Sequence, residues 1–472
     1  MYIEQLYTNC LAEAAYYIES DGEAAIIDPL RETEPYTQLA AKRGSTIKYV
    51  FETHFHADFV SGHIDLSRKV NAPIVFGPMA DTKYDIINAT DGQEFSLGKV
   101  KIRVLHTPGH TPESSCYLLL DEKGNSHAVF TGDTLFVGDV GRPDLLDGVM
   151  SRETLAGMLY DSLNNKIKVL PDATLVYPAH GPGSACGKNI GKETFSTIGE
   201  QKRFNYALKD QTKEEFIRQV TDGILPPPAY FFQDARINKH GYDPIEDVMK
   251  DNERPLTTAQ VKAEVKKGAL IIDTRKADDF EKGFIAGSIN LGLNGQFAVW
   301  VGTLIDIQQP LVLITDAGKE SETVLRLARV GYENVVGYLQ GGVAAWDEPL
   351  HRVHSIEAKE LKQFASAEVL DVRKPGEWNV SHLKGAQFVP LGDMPSNLSE
   401  LDRQKPIQES VPKPDGKVFG EFRDEFKSEI LTRIRSGSGL DHHELTNRAV
   451  EILDASFARN GLAAKADHEA MS

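Results

Sequence analysis

Cysteine is scarce in this chain of 472 residues, which has three: Cys10, Cys116 and Cys186. An odd number of widely spaced cysteines suits a reducing compartment better than a disulfide framework. No stretch approaches the ~20 consecutive apolar residues that a transmembrane helix needs. The first twenty residues also lack the basic start and apolar core of a signal peptide. We therefore expect a cytoplasmic protein with no membrane partner.

Positively charged residues are also fewer than negatively charged ones. Lysine and arginine number 52 against 69 aspartates and glutamates, which gives a formal net charge of -17. Such a surface repels a phosphate backbone, so we expect no nucleic-acid partner. Apolar residues, by contrast, make up 41% of the chain. Together with the length, they predict two to four domains with hydrophobic cores, at the usual ~100–200 residues each.

Histidine and aspartate are concentrated in four short motifs: T-H-F-H-A-D-F at 53–59, T-P-G-H, T-G-D and Y-P-A-H. These motifs supply six candidate metal ligands, His54, His56, Asp58, His110, Asp133 and His180. Gly109 and Gly132 stand beside two of them and predict tight turns where strands end. Catalytic groups usually lie in such loops, so the pattern predicts a metal site built on strand ends.

The ligand types limit the metal and its number. Imidazole suits iron or zinc, and two imidazoles with one carboxylate leave half of an octahedron open. The six residues can hold two metals, one on His54, His56 and His110 and the other on Asp58, Asp133 and His180, or a subset can hold one. Binuclear hydrolases of this pattern have a histidine after the aspartate, whereas this chain has Phe59. A phenyl ring cannot bind metal, which favours a mononuclear centre.

Alternating apolar residues and turn signals predict many short strands in the first ~250 residues. Examples of the predicted strands are 24–27, 47–52, 73–76, 100–105, 115–120, 128–131 and 174–177, and the predicted helices are 62–70, 152–163 and 192–209. This set indicates two sheets covered by helices in α/β/β/α layers. Three prolines at 226–228 close the region, and the charged stretch 247–254 predicts a linker.

The second half of the chain contains a repeat. Asp273, Arg275 and Gly287 recur 98 residues later as Asp371, Arg373 and Gly385, which indicates two copies of one parallel α/β domain. The first copy covers 256–350. The second covers 354–407 and stops early, and 408–472 instead shows two amphipathic helical patterns.

The four motifs, with the segments F-T-G-D-T-L-F-V-G-D-V-G-R-P-D and Y-P-A-H-G-P-G-S-A-C-G, resemble those of the metallo-β-lactamase superfamily. Within it, the chain is most similar to bacterial persulfide dioxygenases fused to rhodanese-like domains. The resemblance implies a metallo-β-lactamase αβ/βα sandwich in 1–250 and a rhodanese-like α/β domain in 256–350. An incomplete rhodanese-like copy (354–407) and a helical tail (408–472) would follow.

The resemblance also implies roles for residues. One Fe(II) per chain, with zinc as the alternative, would be held by His54, His110 and Asp133. A low-molecular-weight thiol persulfide, such as glutathione persulfide, would react there with O2 and water to give sulfite and free thiol. The remaining assignments are His56, Asp58 and His180 as groups that orient water or move protons, Tyr177 as a hydrogen-bond donor near the iron, and Arg142 and Lys188 as partners of the carrier's carboxylates.

Rhodanese-like domains normally work through a cysteine that opens a loop of backbone amides. Here Asp316 or a neighbour takes that place, and no cysteine follows Cys186. We therefore expect a non-catalytic second half that packs on the first or mediates homo-oligomerisation. Two rival functions remain: a zinc hydrolase of thioesters, as in glyoxalase II, or of lactams, and a non-catalytic sulfur-binding scaffold.

Overall fold

The computed structural model describes residues 1–145, 149–224, 226–353, 368–393 and 407–409. The chain divides into two compact units. The first comprises Met1–Val248 with Ala328–Gly331, and the second comprises the rest. No helix among these described residues is both long and apolar enough to cross a bilayer. The predicted helical tail lies outside them, apart from a short strand at Ile407–Glu409.

The first sheet of unit one has six strands in sequential order. Its first three strands pair antiparallel and the others parallel. The elements are β1 (Tyr2–Thr8), β2 (Glu13–Ser20), β3 (Glu23–Ile27), α1 (Glu34–Arg43), β4 (Thr46–Glu52), α2 (His63–Val70), β5 (Ile74–Phe76) and β6 (Ile87–Asn88).

The second sheet also has six strands, in the order β12-β11-β10-β9-β8-β7. Its strands are β7 (Glu94–Leu97), β8 (Val100–His106), β9 (Ser115–Leu120), β10 (Ser126–Gly132), β11 (Leu175–Pro178) and β12 (Ser196–Thr197). The helices are α3 (Arg152–Ser162), which runs into a π-helical turn at Leu163–Ile167, α4 (Ile198–Phe204), α5 (Lys213–Thr221), α6 (Phe231–His240) and α7 (Ile245–Asn252), with a 3-10 turn at Tyr206–Leu208.

Alternation along the strands explains the layers, because successive side chains point to opposite faces of a sheet. On β2, Tyr16 and Ile18 pack between the two sheets with residues of β8, β9 and β10. Ala15 and Tyr17 face the other way, toward α1 and α2. The outer face of the second sheet packs against α3 and α5. The predicted α/β/β/α layering is therefore confirmed.

Two local predictions need correction. The charged stretch 247–254 contains the boundary between the two units, at Val248 and Met249, but most of it is helical and belongs to α7. The helix expected over 192–209 is limited to α4 and the following 3-10 turn. Its first residues lie outside a helix, and Thr197 begins α4 with a capping box that involves Glu200.

Unit two contains a parallel sheet in the order β13-β17-β16-β14-β15. Its elements are β13 (Pro255–Leu256), α8 (Thr258–Lys266), β14 (Leu270–Asp273), α9 (Ala277–Phe280), β15 (Ile289–Asn290), α10 (Phe297–Leu304), β16 (Leu311–Ile314), α11 (Glu320–Ala328) and β17 (Val335–Leu339), then a 3-10 turn at Gly342–Ala345.

The described part of the second repeat is a three-stranded parallel sheet, β19-β18-β20. It consists of β18 (Glu368–Asp371), α12 (Pro375–Val380), β19 (Gln387–Phe388), a 3-10 turn at Leu391–Asp393 and β20 (Ile407–Glu409). The buried pair Arg275–Asp273 has the same form as Arg373–Asp371. This likeness supports an internal repeat, but the proposed copy boundaries stay predictions.

Candidate metal centre

The six candidate ligands all lie just beyond strand ends. His54, His56 and Asp58 follow β4, His110 lies between β8 and β9, Asp133 follows β10 and His180 follows β11. The two turn glycines behave as predicted. Gly132 has a φ of +50°, and a Cβ there would meet the Thr53 side chain at 2.6 Å. At Gly109, φ is +153°, and a Cβ would lie 2.4 Å from the Leu159 backbone.

The first group of donor atoms is His54, His110 and Asp133, which are all buried and lie within 4.8 Å of one another. The Nε2 atom of His110 is 3.4 Å from Asp133 Oδ2, and the Nε2 atom of His54 is 3.9 Å from the same oxygen. Burial, followed by the charges of neighbouring imidazoles, holds the pKa of His54 well below its ordinary value. A neutral imidazole is the form that binds a metal.

Acceptors behind three histidines select their tautomers. His54 Nδ1 is 2.9 Å from Thr53 Oγ1, whose hydroxyl donates to Asp28 Oδ2 at 2.8 Å. His110 Nδ1 lies 2.8 Å from a backbone carbonyl, that of Arg142, and His180 Nδ1 lies 3.1 Å from another. Each Nδ1 therefore carries the proton, and each Nε2 presents its lone pair. Such orientation by groups behind the ligand is typical of metal-binding histidines.

The second group of donor atoms is His56, Asp58 and His180, also buried. His180 Nε2 lies 3.3 Å from Asp58 Oδ2 and 3.5 Å from Asp133 Oδ1. The Oδ2 atom of Asp133 therefore faces the first donor group, and its Oδ1 atom faces the second. Although burial opposes the effect, the carboxylates of Asp58 and Asp133 raise the pKa of His180. This part of the pocket can hold a proton.

His56 faces a buried pair of acids. Its Nε2 lies 3.2 Å from Asp28 Oδ1 and 3.7 Å from Glu52 Oε2. Burial, and then the charge of Asp28, raise the pKa of Glu52 well above its ordinary value. On its other side the His56 ring contacts Phe59, with ring centroids 4.3 Å apart. Phe59 is fully buried, and its effect on the polarity of the pocket stays a prediction.

The donor set fits a bound cation. Buried polar atoms normally have a hydrogen-bond partner, yet several donor atoms at this site have none among the described residues. They are the Nε2 atoms of His54, His110 and His180, both oxygens of Asp133, and Asp58 Oδ1. Leaving so many buried lone pairs unsatisfied is costly unless a positive charge meets them. A metal ion held by His54, His110 and Asp133 would satisfy the atoms of those three residues.

The loop that carries His56 and Asp58 is held by a residue that the sequence did not indicate. The Asn238 side-chain amide on α6 donates to the carbonyls of His56 and Phe59, each at 2.8 Å. Its oxygen accepts from the Ser61 amide at 2.9 Å. No spacing rule marks a lone asparagine 180 residues after the motif, so only the fold identifies it.

Arg142 and Lys188, which were predicted to bind the carboxylates of the thiol carrier, already have partners within the protein. The Arg142 guanidinium makes a two-pronged ion pair with Asp144, at 2.7 and 2.8 Å, and donates to the Ala185 carbonyl. Lys188 Nζ donates to the carbonyls of Gln219 and Asp222, at the end of α5. A substrate carboxylate would have to displace these partners, so this geometry disfavours the assigned roles.

Tyr177 is half-buried. Its ring packs against the core between the sheets, stacked on Phe130 at 5.4 Å and in contact with Tyr16 and Phe195. Burial raises the pKa of its hydroxyl. These contacts explain how the ring packs, and the role of Tyr177 as a hydrogen-bond donor near the metal stays a prediction.

Comparison with known proteins agrees with this geometry. Residues 8–180 match the metallo-beta-lactamase superfamily, and residues 257–349 match the rhodanese-like domain. A metallo-beta-lactamase structure from Staphylococcus aureus subsp. aureus COL has 33% identity and a TM-score of 0.64, covering 72% of this chain and 98% of its own.

The chain belongs to the metallo-β-lactamase superfamily.

Two curated relatives within this superfamily differ in activity. The human mitochondrial persulfide dioxygenase ETHE1 is 32% identical over 210 residues, which is 44% of this chain and 74% of that protein. A cytoplasmic hydroxyacylglutathione hydrolase of Arabidopsis thaliana is 35% identical over 179 residues, 37% of this chain and 66% of that protein. Both are similar to this chain to a comparable degree, so identity alone does not separate oxidation from hydrolysis.

Proposed function

We propose that unit one is a persulfide dioxygenase with one Fe(II), and that His54, His110 and Asp133 hold the metal. The observation that carries the proposal is the combination of a buried two-histidine, one-carboxylate group with Phe59 in place of a further ligand. That donor set leaves one side of an octahedral ion open. The similarity to a persulfide dioxygenase supports the same activity.

Groups behind the proposed metal ligands fix the orientation of the two histidine rings. Thr53 and Asp28 fix the ring of His54, and the Arg142 carbonyl fixes that of His110. Ferrous iron, when bound in such a facial site, supplies neighbouring open positions at which a sulfur anion and dioxygen react. Phe59 packs against the His56 ring and fixes its orientation.

Proton transfer is assigned to the second group of donors. The overall change is RSSH + O2 + H2O to RSH and sulfurous acid, which ionises to sulfite. Water must therefore be added and protons moved as the S–S bond breaks. His180 Nε2, 3.3 Å from Asp58 Oδ2, is placed to hold such a proton, because the adjacent carboxylates favour its charged form. His56 and Asp58 orient the water.

The experiment is metal analysis with matched histidine variants. Protein purified without oxygen and loaded with Fe(II) should contain one iron per chain and consume oxygen with glutathione persulfide. His110→Ala should lose both iron and oxygen uptake. His127→Ala, a histidine on β10 outside the donor groups, should keep both. Full activity in His110→Ala would contradict the ligand assignment.

A zinc-dependent thioester hydrolase is the second candidate. It is favoured by Asp133, whose two oxygens face two donor groups, and by similarity to a hydroxyacylglutathione hydrolase. This function predicts zinc-dependent cleavage of a hydroxyacylglutathione thioester without oxygen uptake. Assaying iron-loaded and zinc-loaded protein against both substrates decides between the two.

We propose that unit two does not transfer sulfur through a covalent persulfide. The loop between β16 and α11 begins near Asp316, and no cysteine follows Cys186 anywhere in the chain. A carboxylate cannot carry sulfane sulfur. The remaining roles for unit two are structural support and homo-oligomerisation. With thiosulfate as the sulfur donor and a thiol as the acceptor, the protein should therefore transfer no sulfur.

A further inference from the structure

Met79 has a backbone conformation that methionine rarely adopts. Its φ is +70°, in the left-handed region, and it directly follows Pro78 on the turn after β5. A left-handed residue after proline is normally glycine or asparagine, because a Cβ atom clashes with the backbone in this conformation. The chain therefore carries a large side chain at a position where glycine would be less strained.

The turn that presents Met79 is fixed on both sides of this residue. A Cβ atom at Gly77 would lie 1.8 Å from Ser115 Oγ, so the backbone there packs directly against β9. Ala80 is buried, and its carbonyl accepts from Asn88 Nδ2 at 2.7 Å. Met79 itself, by contrast, is 65% exposed. A single exposed apolar residue is ordinary, but one that is kept exposed at a cost in backbone strain indicates a function.

The turn lies at the edge of the sheet that carries the metal centre. β4 and β5 pair in parallel, and Glu52 is the partner of Phe76 where both strands end. The chain segments that follow these strands therefore leave the same edge of the sheet side by side. One segment begins with the loop of His54, and the other is the turn of Met79. Loops that a rigid scaffold holds in this way commonly bind substrates.

We propose that Met79 determines substrate specificity by contacting the carrier thiol of the persulfide at the rim of the metal centre. This inference rests on the proposed function of unit one. The thioether of methionine is polarisable, and its unbranched side chain adapts to irregular apolar surfaces. It therefore suits the sulfur atom and the neighbouring methylene group of a thiol such as glutathione. The contact forms no covalent bond, so Met79 changes how tightly the substrate binds and takes no part in the oxidation step.

The first test follows binding without turnover. The chain has seven methionines, and their methyl groups are isotope-labelled for NMR. Zinc-loaded protein, which is diamagnetic, is titrated with glutathione in the absence of persulfide, and Met79→Leu identifies the Met79 signal. We expect this signal to shift in a saturable manner as glutathione is added. An unchanged Met79 signal would overturn the contact, whichever reaction the protein catalyses.

The second test separates substrate binding from backbone strain. Asp21, on the β2–β3 turn, is also left-handed, with a φ of +52°, so Asp21→Gly is the matched control. Met79→Gly should raise the midpoint of urea unfolding, because glycine adopts this conformation without strain. It should also raise the KM for glutathione persulfide by roughly tenfold with iron content retained, whereas Asp21→Gly should leave KM unchanged. An unchanged KM or a lower midpoint in Met79→Gly, or an equal rise of KM in Asp21→Gly, would refute the role of Met79. If wild-type protein consumes no oxygen, the proposed function fails, and the NMR titration alone decides the contact.

Discussion

Asn238 offers the sharpest test of how the fold positions the metal ligands. Its side chain makes three hydrogen bonds to the loop of His56, Phe59 and Ser61, and it is 1% exposed. Asn238→Ala removes all three bonds. Asn238→Asp keeps the acceptor for the Ser61 amide but replaces the donor of two bonds by a second oxygen that repels the carbonyls.

The expected loss of stability follows from the number of hydrogen bonds that are removed. A buried hydrogen bond contributes a net ~0.5–1.5 kcal/mol, so Asn238→Ala should lower the free energy of unfolding by about 2–4 kcal/mol. Groups that orient metal ligands from behind typically change metal affinity by about 10–100-fold when removed. We expect both variants to bind Fe(II) more weakly within that range, because the loop that carries the ligand His54 is no longer held at His56 and Phe59.

The assay must separate positioning from general loss of stability. Leu163→Ala serves as the control, because Leu163 is fully buried on the outer face of the second sheet and such a truncation costs about 2–5 kcal/mol. Urea unfolding without metal and competitive iron binding are measured for all variants. The reasoning fails if Leu163→Ala weakens iron binding as much as Asn238→Ala, or if Asn238→Ala leaves iron affinity unchanged.

Three further predictions concern charged groups. Arg142→Ala should lower the free energy of unfolding by about 3–5 kcal/mol, because it leaves the buried Asp144 unpaired; a raised KM with unchanged stability would instead support substrate binding. Lys188→Met should cost about 1 kcal/mol in urea unfolding and leave KM unchanged, and a tenfold rise in KM would restore its predicted role. Burial lowers the pKa of His63 to about 3. As the pH falls below 6.5, His63 takes up a proton in the unfolded chain but not in the folded protein. The free energy of unfolding should therefore decrease by up to about 5 kcal/mol by pH 3. His63→Phe should flatten this dependence, and an unchanged slope between pH 4 and pH 7 would contradict the assignment.

Much of the fold was predictable because the strands of unit one obey simple rules. Apolar runs such as Ser115–Leu120 are buried along their whole length, and the metal motifs lie at strand ends, where the turn glycines indicated them. The first two strands were missed. β1 has a polar, half-buried sequence, and β2 is buried on both faces, so neither shows the alternation expected of a half-buried strand.

Several contacts at the site could not be predicted, because sequence spacing does not encode them. The charges of Arg142 and Lys188 suggested substrate binding, but their partners are set by loops that meet only in the folded chain. Asn238 and Asp28 act on the motif from separate elements, whereas Glu52 ends the strand immediately before it. By contrast, the residues of the two donor groups could be identified from the sequence, because each motif combines a donor residue with a strand end.

Oxygen uptake measured together with sulfite formation tests the central claim most directly. Iron-loaded protein, prepared without oxygen, receives glutathione persulfide in an oxygen electrode, and sulfite is quantified in the same sample. The account predicts one dioxygen consumed for each sulfite formed, with no such reaction in zinc-loaded protein. Absence of oxygen uptake by iron-loaded protein, with zinc-dependent cleavage of a glutathione thioester instead, would contradict it.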